Sequence, residues 1–328
     1  MEDILKQIDA YYGIIIEKNN KIIYEKYKKN KKNTRFRIFS LSKPITGLAI
    51  VLLAQMKKLK LSDTLNKYCI NIPNANKITI KHLLYHSSGV YDFSSKLYFE
   101  LTPMNLFKTI INKYETEFVD FETTIQEINR NKPMFKPLSN SEHFDNDNYN
   151  NTGFDILGYI IYLASGMKSD EFIKQYIFKE LKMKDSGFQS DCHPNESVPY
   201  ETKTKKGIKE QQNWFCGNAY VVCTLRDYLK FMNNYCELLD NKHLKIYENM
   251  YWFWKTDDGL EYMTHIGKGD FSHKHANNKE SYKPISISGM IKYKDVRIVI
   301  SENYRKDKGI FTKYEIYNKI IDYVNSCT

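Results

Sequence analysis

The sequence predicts an α+β fold in which strands from both ends of the chain build one antiparallel sheet and a mainly helical lobe is inserted between them. Three observations point there. Apolar runs with hairpin spacing open the chain, two further strand-like runs lie near its far end, and the segments between them carry the three-and-four spacing of helices.

The opening hairpin is expected over residues 13–27. The run Ile14-Ile15-Ile16 is followed by Lys18-Asn19-Asn20-Lys21 and then Ile22-Ile23-Tyr24. Paired asparagines supply the positive φ that a tight turn needs. Over residues 42–58, Ile45, Leu48, Ala49, Leu52, Leu53 and Met56 recur at helical intervals, which predicts a helix buried along one face and starting just after Ser40. Pro44 falls in its first turn, where a missing N–H costs little.

Further helices are expected at residues 154–163, 171–181 and 311–324, and paired strands at 285–293 and 296–300. The α/β lobe is accordingly assigned to residues 1–60 and 205–328, and the mainly helical lobe to residues 61–204, within one domain of residues 1–328. No internal repeat or low-complexity linker interrupts them.

Composition excludes several classes. With 328 residues, 42% of them hydrophobic and 14% aromatic, the chain is long enough and apolar enough to bury a large core. No run approaches the ~18 apolar residues that cross a bilayer. Acidic Glu2 and Asp3 stand where a secretory signal would carry lysines, so the expectation is a cytoplasmic protein without a membrane segment. The six cysteines (Cys69, Cys192, Cys216, Cys223, Cys236 and Cys327) form no Cys-x-x-Cys pair and are read as free thiols. The net charge of +10 comes from lysines scattered through the chain. Only Lys26, Lys28, Lys29, Lys31 and Lys32 cluster, as a solvated loop would, so no specific nucleic-acid partner is expected.

Three motifs carry chemistry. Ser40-Leu41-Ser42-Lys43 sets a lysine three residues after a serine at a helix start. There the amine can reach the hydroxyl, and free N–H groups favour an oxyanion. A second copy, Ser165-Gly166-Met167-Lys168, is read as accidental. Tyr149-Asn150-Asn151 follows a polar loop; a tyrosine beside a lysine ammonium can act as a base toward serine, and an asparagine amide can orient a carbonyl. His265-Ile266-Gly267 precedes the terminal strands and could line a cleft edge.

Taken in order, these motifs resemble the serine β-lactamase and penicillin-binding-protein family, especially class C enzymes, D,D-carboxypeptidases and esterases on that scaffold. The wording around them agrees as well: Phe39 to Gly47, Lys60 to Leu65, Ile78 to Gly89, Tyr149 to Phe154 with Leu157-Gly158, Phe178 to Phe188, and Thr224-Leu225-Arg226-Asp227, in order across about residues 10–300. The resemblance implies a β-lactamase/transpeptidase-like catalytic domain and a hydrolase acting by acyl-enzyme on a small amide, ester or β-lactam. A small molecule or peptide would be the substrate, with no cofactor and no metal. It implies Ser40 as nucleophile, Lys43 and Tyr149 as its proton-handling partners, and Asn151 on the substrate amide. The backbone N–H groups of Ser40 and Lys268 would form the oxyanion hole, with His265 and Gly267 at the cleft wall.

Departures from the pattern matter. Where relatives often have Lys-Thr-Gly this chain has His265-Ile266-Gly267, which exchanges a permanent cation for a group mostly neutral above pH ~6.5 and weakens attraction for a carboxylate. The Ser-Asp-Asn motif and extra glutamate of class A enzymes are not apparent. A non-catalytic binding protein on the same scaffold is the alternative reading, and a basic nucleic-acid-binding protein a more distant one. His82 and His86 share a four-residue spacing but lack an HExxH, and His273 and His275 read as loop residues.

Overall fold

The computed structural model describes residues 10–93, 121–188, 191, 196–197, 217, 219–255, 261–270 and 285–305. Strand β1 (Ala10–Lys18) turns through Asn19 and Asn20 into β2 (Lys21–Lys28). Both turn residues have positive φ, 50° and 59°, as a two-residue turn matched to the twist of its strands requires. Ile14, Ile15 and Ile16 are all fully buried. Both faces of β1 are therefore covered, which is why alternation gives way to a continuous apolar run.

The two ends of the chain meet in this sheet. Strand β10 (Val296–Arg305) pairs antiparallel with β1, with Ile14 opposite Ile300 and Ile16 opposite Ile298. Strands β9 (Ile285–Tyr293), β8 (Glu261–Asp270) and β7 (Phe253–Lys255) complete the order β2-β1-β10-β9-β8-β7. The expected helix at residues 311–324 lies outside the described residues.

Helix α1 (Ser42–Gln55) follows Ser40 as expected, and the chain leaves it at Lys57, whose φ is +59°. The expectation of a single buried face is corrected, because every residue from Ser42 to Leu53 is buried. The helix is enclosed by α4 (Asn151–Ser165), α5 (Ser169–Ile173) and α7 (Asn241–Glu248). Helices α2 (Ile80–Leu84) and α3 (Phe121–Arg130) belong to the same middle region, and α6 (Leu225–Asn234) packs on the sheet at β10 and β1.

The helix expected at residues 171–181 is also corrected. Helix α5 gives way to a π-helical turn, Lys174–Phe178. Its buried residues explain this: Phe172 with Ile177, and Ile173 with Phe178, are spaced by five. A turn closed from residue i to i+5 keeps such pairs on one face, and the Lys179 N–H accordingly donates to the Lys174 carbonyl at 3.0 Å.

A second sheet was not foreseen. Its order is β4-β6-β3-β5, from β4 (Ser186–Phe188), β6 (Val221–Cys223), β3 (Arg35–Arg37) and β5 (Glu196–Ser197). Strands of two or three residues show no alternation to read, and these come from both of the expected lobes. The sheet holds β3 immediately ahead of Ser40. Among the described residues no helix is long and apolar enough to cross a membrane. Cys69, Cys223 and Cys236 are free thiols.

Candidate active site

Ser40 sits in a tight helical turn, Phe39–Leu41, between β3 and α1. Phe39 has φ of +47°, a region that a bulky side chain occupies only under constraint, so backbone strain lies directly before the serine. The constraints are visible. The Tyr228 hydroxyl donates to the Leu41 carbonyl at 3.1 Å, the Tyr247 hydroxyl to the Pro44 carbonyl at 2.9 Å, and the Val221 N–H to Ser42 Oγ at 3.1 Å. The turn also packs against β8 and β9. Ser40 itself stays partly exposed while its neighbours Phe39 and Leu41 are buried.

Lys43, one helical turn on, has no exposed surface. Its Nζ donates to Ser40 Oγ at 2.9 Å and to Asn151 Oδ1 at 2.7 Å. It also lies over the Tyr149 ring, 4.9 Å from the centroid. Burial pushes the lysine down to about 7, against the opposing pull of the Asp155 and Asp92 carboxylates. A lysine so placed is available as a neutral amine near pH 7.

Tyr149 and Asn151 flank the start of α4. Asn150 caps this helix, its Oδ1 accepting the Gly153 N–H at 2.7 Å. Asp92 Oδ1 accepts the Thr152 N–H and hydroxyl, both at 3.0 Å, and Asp92 Oδ2 accepts the Asn151 N–H at 3.3 Å. A carboxylate at a helix N-terminus satisfies free donors and meets the positive end of the dipole. Burial raises the Tyr149 phenol above its ordinary value even though the Ser40 and Tyr251 hydroxyls favour its anion. Desolvation thus opposes the expected phenolate and favours Tyr149 as a neutral donor.

His265 lies on β8 opposite Met290, with Gly267 opposite Ser288 and Lys268 opposite Ile287. Its Nε2 is buried without a hydrogen-bond partner. Burial and the nearby Lys43 push it down to about 3, despite the Ser40 carbonyl favouring the charged form. The imidazole is thus neutral far below the pH at which a free histidine titrates.

The structure gathers Ser40, Lys43, Tyr149, Asn151 and His265 at one place, and it brings in four residues that sequence reasoning missed as site components. These are Asp92, Asp155, His86 and Tyr251. The Tyr251 ring lies 5.5 Å from that of His265 and 6.4 Å from that of Tyr149. His86 lies inside the recognised stretch Ile78 to Gly89 and Asp92 just past it, so position could have signalled these two, whereas Tyr251 carries no such mark.

The other candidates have structural roles. Ser165 Oγ donates to the Ile161 carbonyl at 2.6 Å at the far end of α4, so the second Ser-x-x-Lys closes a helix. His82 is occupied by Thr79 through Nδ1 and by the Leu138 carbonyl through Nε2. No group of metal-ligating side chains occurs among the described residues. In Thr224-Leu225-Arg226-Asp227, Thr224 caps α6 and Asp227 Oδ2 accepts the Asp185 N–H at 2.6 Å. His273 and His275 lie outside the described residues.

The antiparallel sheet closed by both chain ends, the buried α1 and the helical region that carries Tyr149 and Asn151 to Ser40 and Lys43 define a β-lactamase/transpeptidase-like protein of the α+β class. A family profile described as Beta-lactamase matches residues 6–260, and the chain belongs to that family. His265 falls just past the matched stretch. Over 215 residues the chain is 27% identical to "Putative penicillin-binding protein PbpX" of Bacillus subtilis (strain 168), which covers 62% of this chain and 48% of that relative. The chain thus spans about half the length of that relative. Among solved structures it is similar to a penicillin binding protein from Bacillus halodurans, with TM-score 0.71 and 19% identity over 98% of this chain and 99% of the other. It is also similar to a D-amino acid amidase from Ochrobactrum anthropi SV3, with TM-score 0.69 and 17% identity over 100% and 96%.

Proposed function

We propose that the protein is a serine hydrolase acting through an acyl-enzyme on a small ester, amide or β-lactam, with Ser40 as nucleophile. The observation that carries this reading is the fully buried Lys43, 2.9 Å from Ser40 Oγ and pushed down to about 7. A neutral amine at that distance takes the hydroxyl proton as Oγ bonds to the substrate carbonyl carbon. The bond to the leaving group then breaks, and the neutral Tyr149 hydroxyl passes the leaving group its proton. Water then attacks the acyl carbon and passes a proton to the Tyr149 phenolate left by the first step, while the Lys43 ammonium returns the first proton to Ser40 Oγ as its bond to the acyl carbon breaks and the acid is released.

The other residues support the same chemistry. Because Asn151 turns Oδ1 to Lys43, its Nδ2 is the donor the amide can offer a substrate carbonyl. The backbone N–H groups of Ser40 and Lys268 would form the oxyanion hole, since β8 runs alongside the serine turn. His265 and Gly267 would shape the wall. A neutral wall disfavours substrates whose recognition depends on a carboxylate, so neutral esters and amides are the preferred class.

Labelling with a fluorescent fluorophosphonate and a fluorescent penicillin tests the proposal. The wild type should label and Ser40→Ala should not, while Ser165→Ala labels normally. A wild type that takes up neither probe and hydrolyses no ester would favour a binding protein on the same scaffold.

A further inference from the structure

We propose that His86 is a positioning residue for Tyr149, and that it works through an accepting Nδ1 which holds the backbone beside that tyrosine. This rests on the reading above, in which Tyr149 delivers a proton. His86 is 1% exposed, and its φ of +57° marks a backbone kept in the left-handed region by its surroundings. Its Nδ1 accepts the Asn150 N–H at 3.0 Å. An accepting Nδ1 in a neutral ring fixes the proton on Nε2. That Nε2 is buried and has no hydrogen-bond partner, and the ring meets Tyr251 edge-on at 4.7 Å. The surrounding side chains are aromatic, so only one of the two ring nitrogens has a polar contact to make.

The consequence for Tyr149 is geometric. Its ring lies 4.4 Å from the His86 ring, and the next residue in the chain is the one His86 holds. Asn150 is held at two further points, by Nδ2 donation to the Val90 carbonyl at 2.6 Å and by capping Gly153 at 2.7 Å. Gly89 closes the loop that carries His86 and Val90. It has φ of +67°, and a Cβ there would meet the Phe135 carbonyl oxygen at 2.0 Å. The stretch from His86 to Asp92 and the stretch from Tyr149 to Thr152, about sixty residues apart in the chain, are thereby locked as one unit. Burial is the largest cause that keeps His86 neutral and, with Lys43, outweighs the opposing effect of the Asn150 backbone, which preserves its accepting nitrogen.

Two substitutions separate the acceptor from the ring. In His86→Asn the amide oxygen can stand where Nδ1 stood, and asparagine tolerates a left-handed backbone. In His86→Phe the ring stays and the acceptor goes. With p-nitrophenyl acetate and an acyl anilide as substrates, His86→Phe should lower kcat on the anilide by about 30-fold with KM changed less than about threefold, the scale of an ångström-sized misplacement of a catalytic group. His86→Asn should stay within about fivefold of wild type on the same substrate. Equal losses in the two variants would overturn the proposal, because packing alone would then explain them.

Two measurements do not need turnover. Hydrogen exchange at the Asn150 amide should be slow in the wild type and His86→Asn, and at least about tenfold faster in His86→Phe. Nitrogen-resolved NMR of the wild type should show His86 protonated on Nε2 between pH 6 and 8. A ring protonated on Nδ1, or unchanged Asn150 exchange in His86→Phe, would overturn the proposal. If the wild type neither labels nor turns over, the hydrolase reading fails separately, and exchange and tautomer still decide whether His86 holds Asn150. If His86→Phe does not fold, the wild-type tautomer decides.

Discussion

The Nζ of Lys43 stands 2.9 Å from Ser40 Oγ while the lysine side chain that carries it is wholly removed from solvent. Distance alone would allow an ammonium to donate to the serine. Burial changes which species is present near neutrality, lowering the lysine to about 7, so that a substantial fraction has the lone pair a base requires.

The pH dependence follows with a definite sign. Below about 7 the ammonium cannot accept the Ser40 proton, so kcat/KM for a neutral ester should rise through an ascending limb near that pH, falling about tenfold per pH unit on its acid side. Asp155 exerts the larger of the two carboxylate pulls that raise Lys43. Removing its charge in Asp155→Asn should move the limb to lower pH. A profile flat from pH 5.5 to 8.5, or a limb moved to higher pH in that variant, would rule out Lys43 as the titrating base.

His265 should be silent over the same range. Held down to about 3, it carries no charge to lose between pH 5 and 8. The ratio of kcat/KM for an acyl donor bearing a free carboxylate to that for its methyl ester should therefore vary by less than about twofold over that interval. His265→Lys should raise that ratio by about fivefold, the scale of one charge at a partly screened site. A wild-type ratio that declines steeply as pH rises past 6.5 would show a titrating imidazole and contradict the neutral state.

Asp92 ties the start of α4, beside Tyr149, to stability. Its carboxylate accepts from the Asn151 N–H, the Thr152 N–H and the Thr152 hydroxyl at the buried start of α4. Asp92→Ala leaves these three donors without that partner and removes the charge facing the helix dipole, a loss of about 2–4 kcal/mol. For a chain of this size that corresponds to a fall in Tm of roughly 3–6 °C. Calorimetry should show it, and an unchanged Tm would mean that water satisfies the helix start without cost.

What the sequence makes legible is local. The Asn19-Asn20 turn, the helix behind Ser40 and the strands at both ends can be read because each is decided by neighbours in the chain. The reach of Lys43 to Ser40 is legible for the same reason, being one helical turn. Strand β8 is harder to read: its stretch from His265 to Asp270 includes two glycines, Gly267 and Gly269, that blank the alternation. Asp92, Asp155, His86 and Tyr251 act across separations that no periodicity encodes. Tertiary burial, which lowers Lys43 and His265 and raises Tyr149, leaves no mark in the motifs themselves.

The division of labour between Lys43 and Tyr149 gives the sharpest test. If Lys43 removes the Ser40 proton and the neutral Tyr149 hydroxyl supplies one to the leaving group, the two residues differ in their dependence on that group. Lys43→Met should cost about 10³-fold in kcat/KM on a p-nitrophenyl ester and on the matching anilide alike, because both need the serine activated. Tyr149→Phe should cost about 10²-fold or more on the anilide, whose amine cannot depart as an anion. It should cost less than about tenfold on the p-nitrophenyl ester, whose phenolate leaves without a proton. Plotting log kcat/KM against leaving-group pKa for a series of aryl esters extends the comparison. The slope should steepen in Tyr149→Phe, where the departing oxygen must carry its own charge, and stay as in the wild type in Lys43→Met. Equal losses on the two substrates in Tyr149→Phe would instead place the tyrosine in activation of Ser40, and the base would then be the pair acting together.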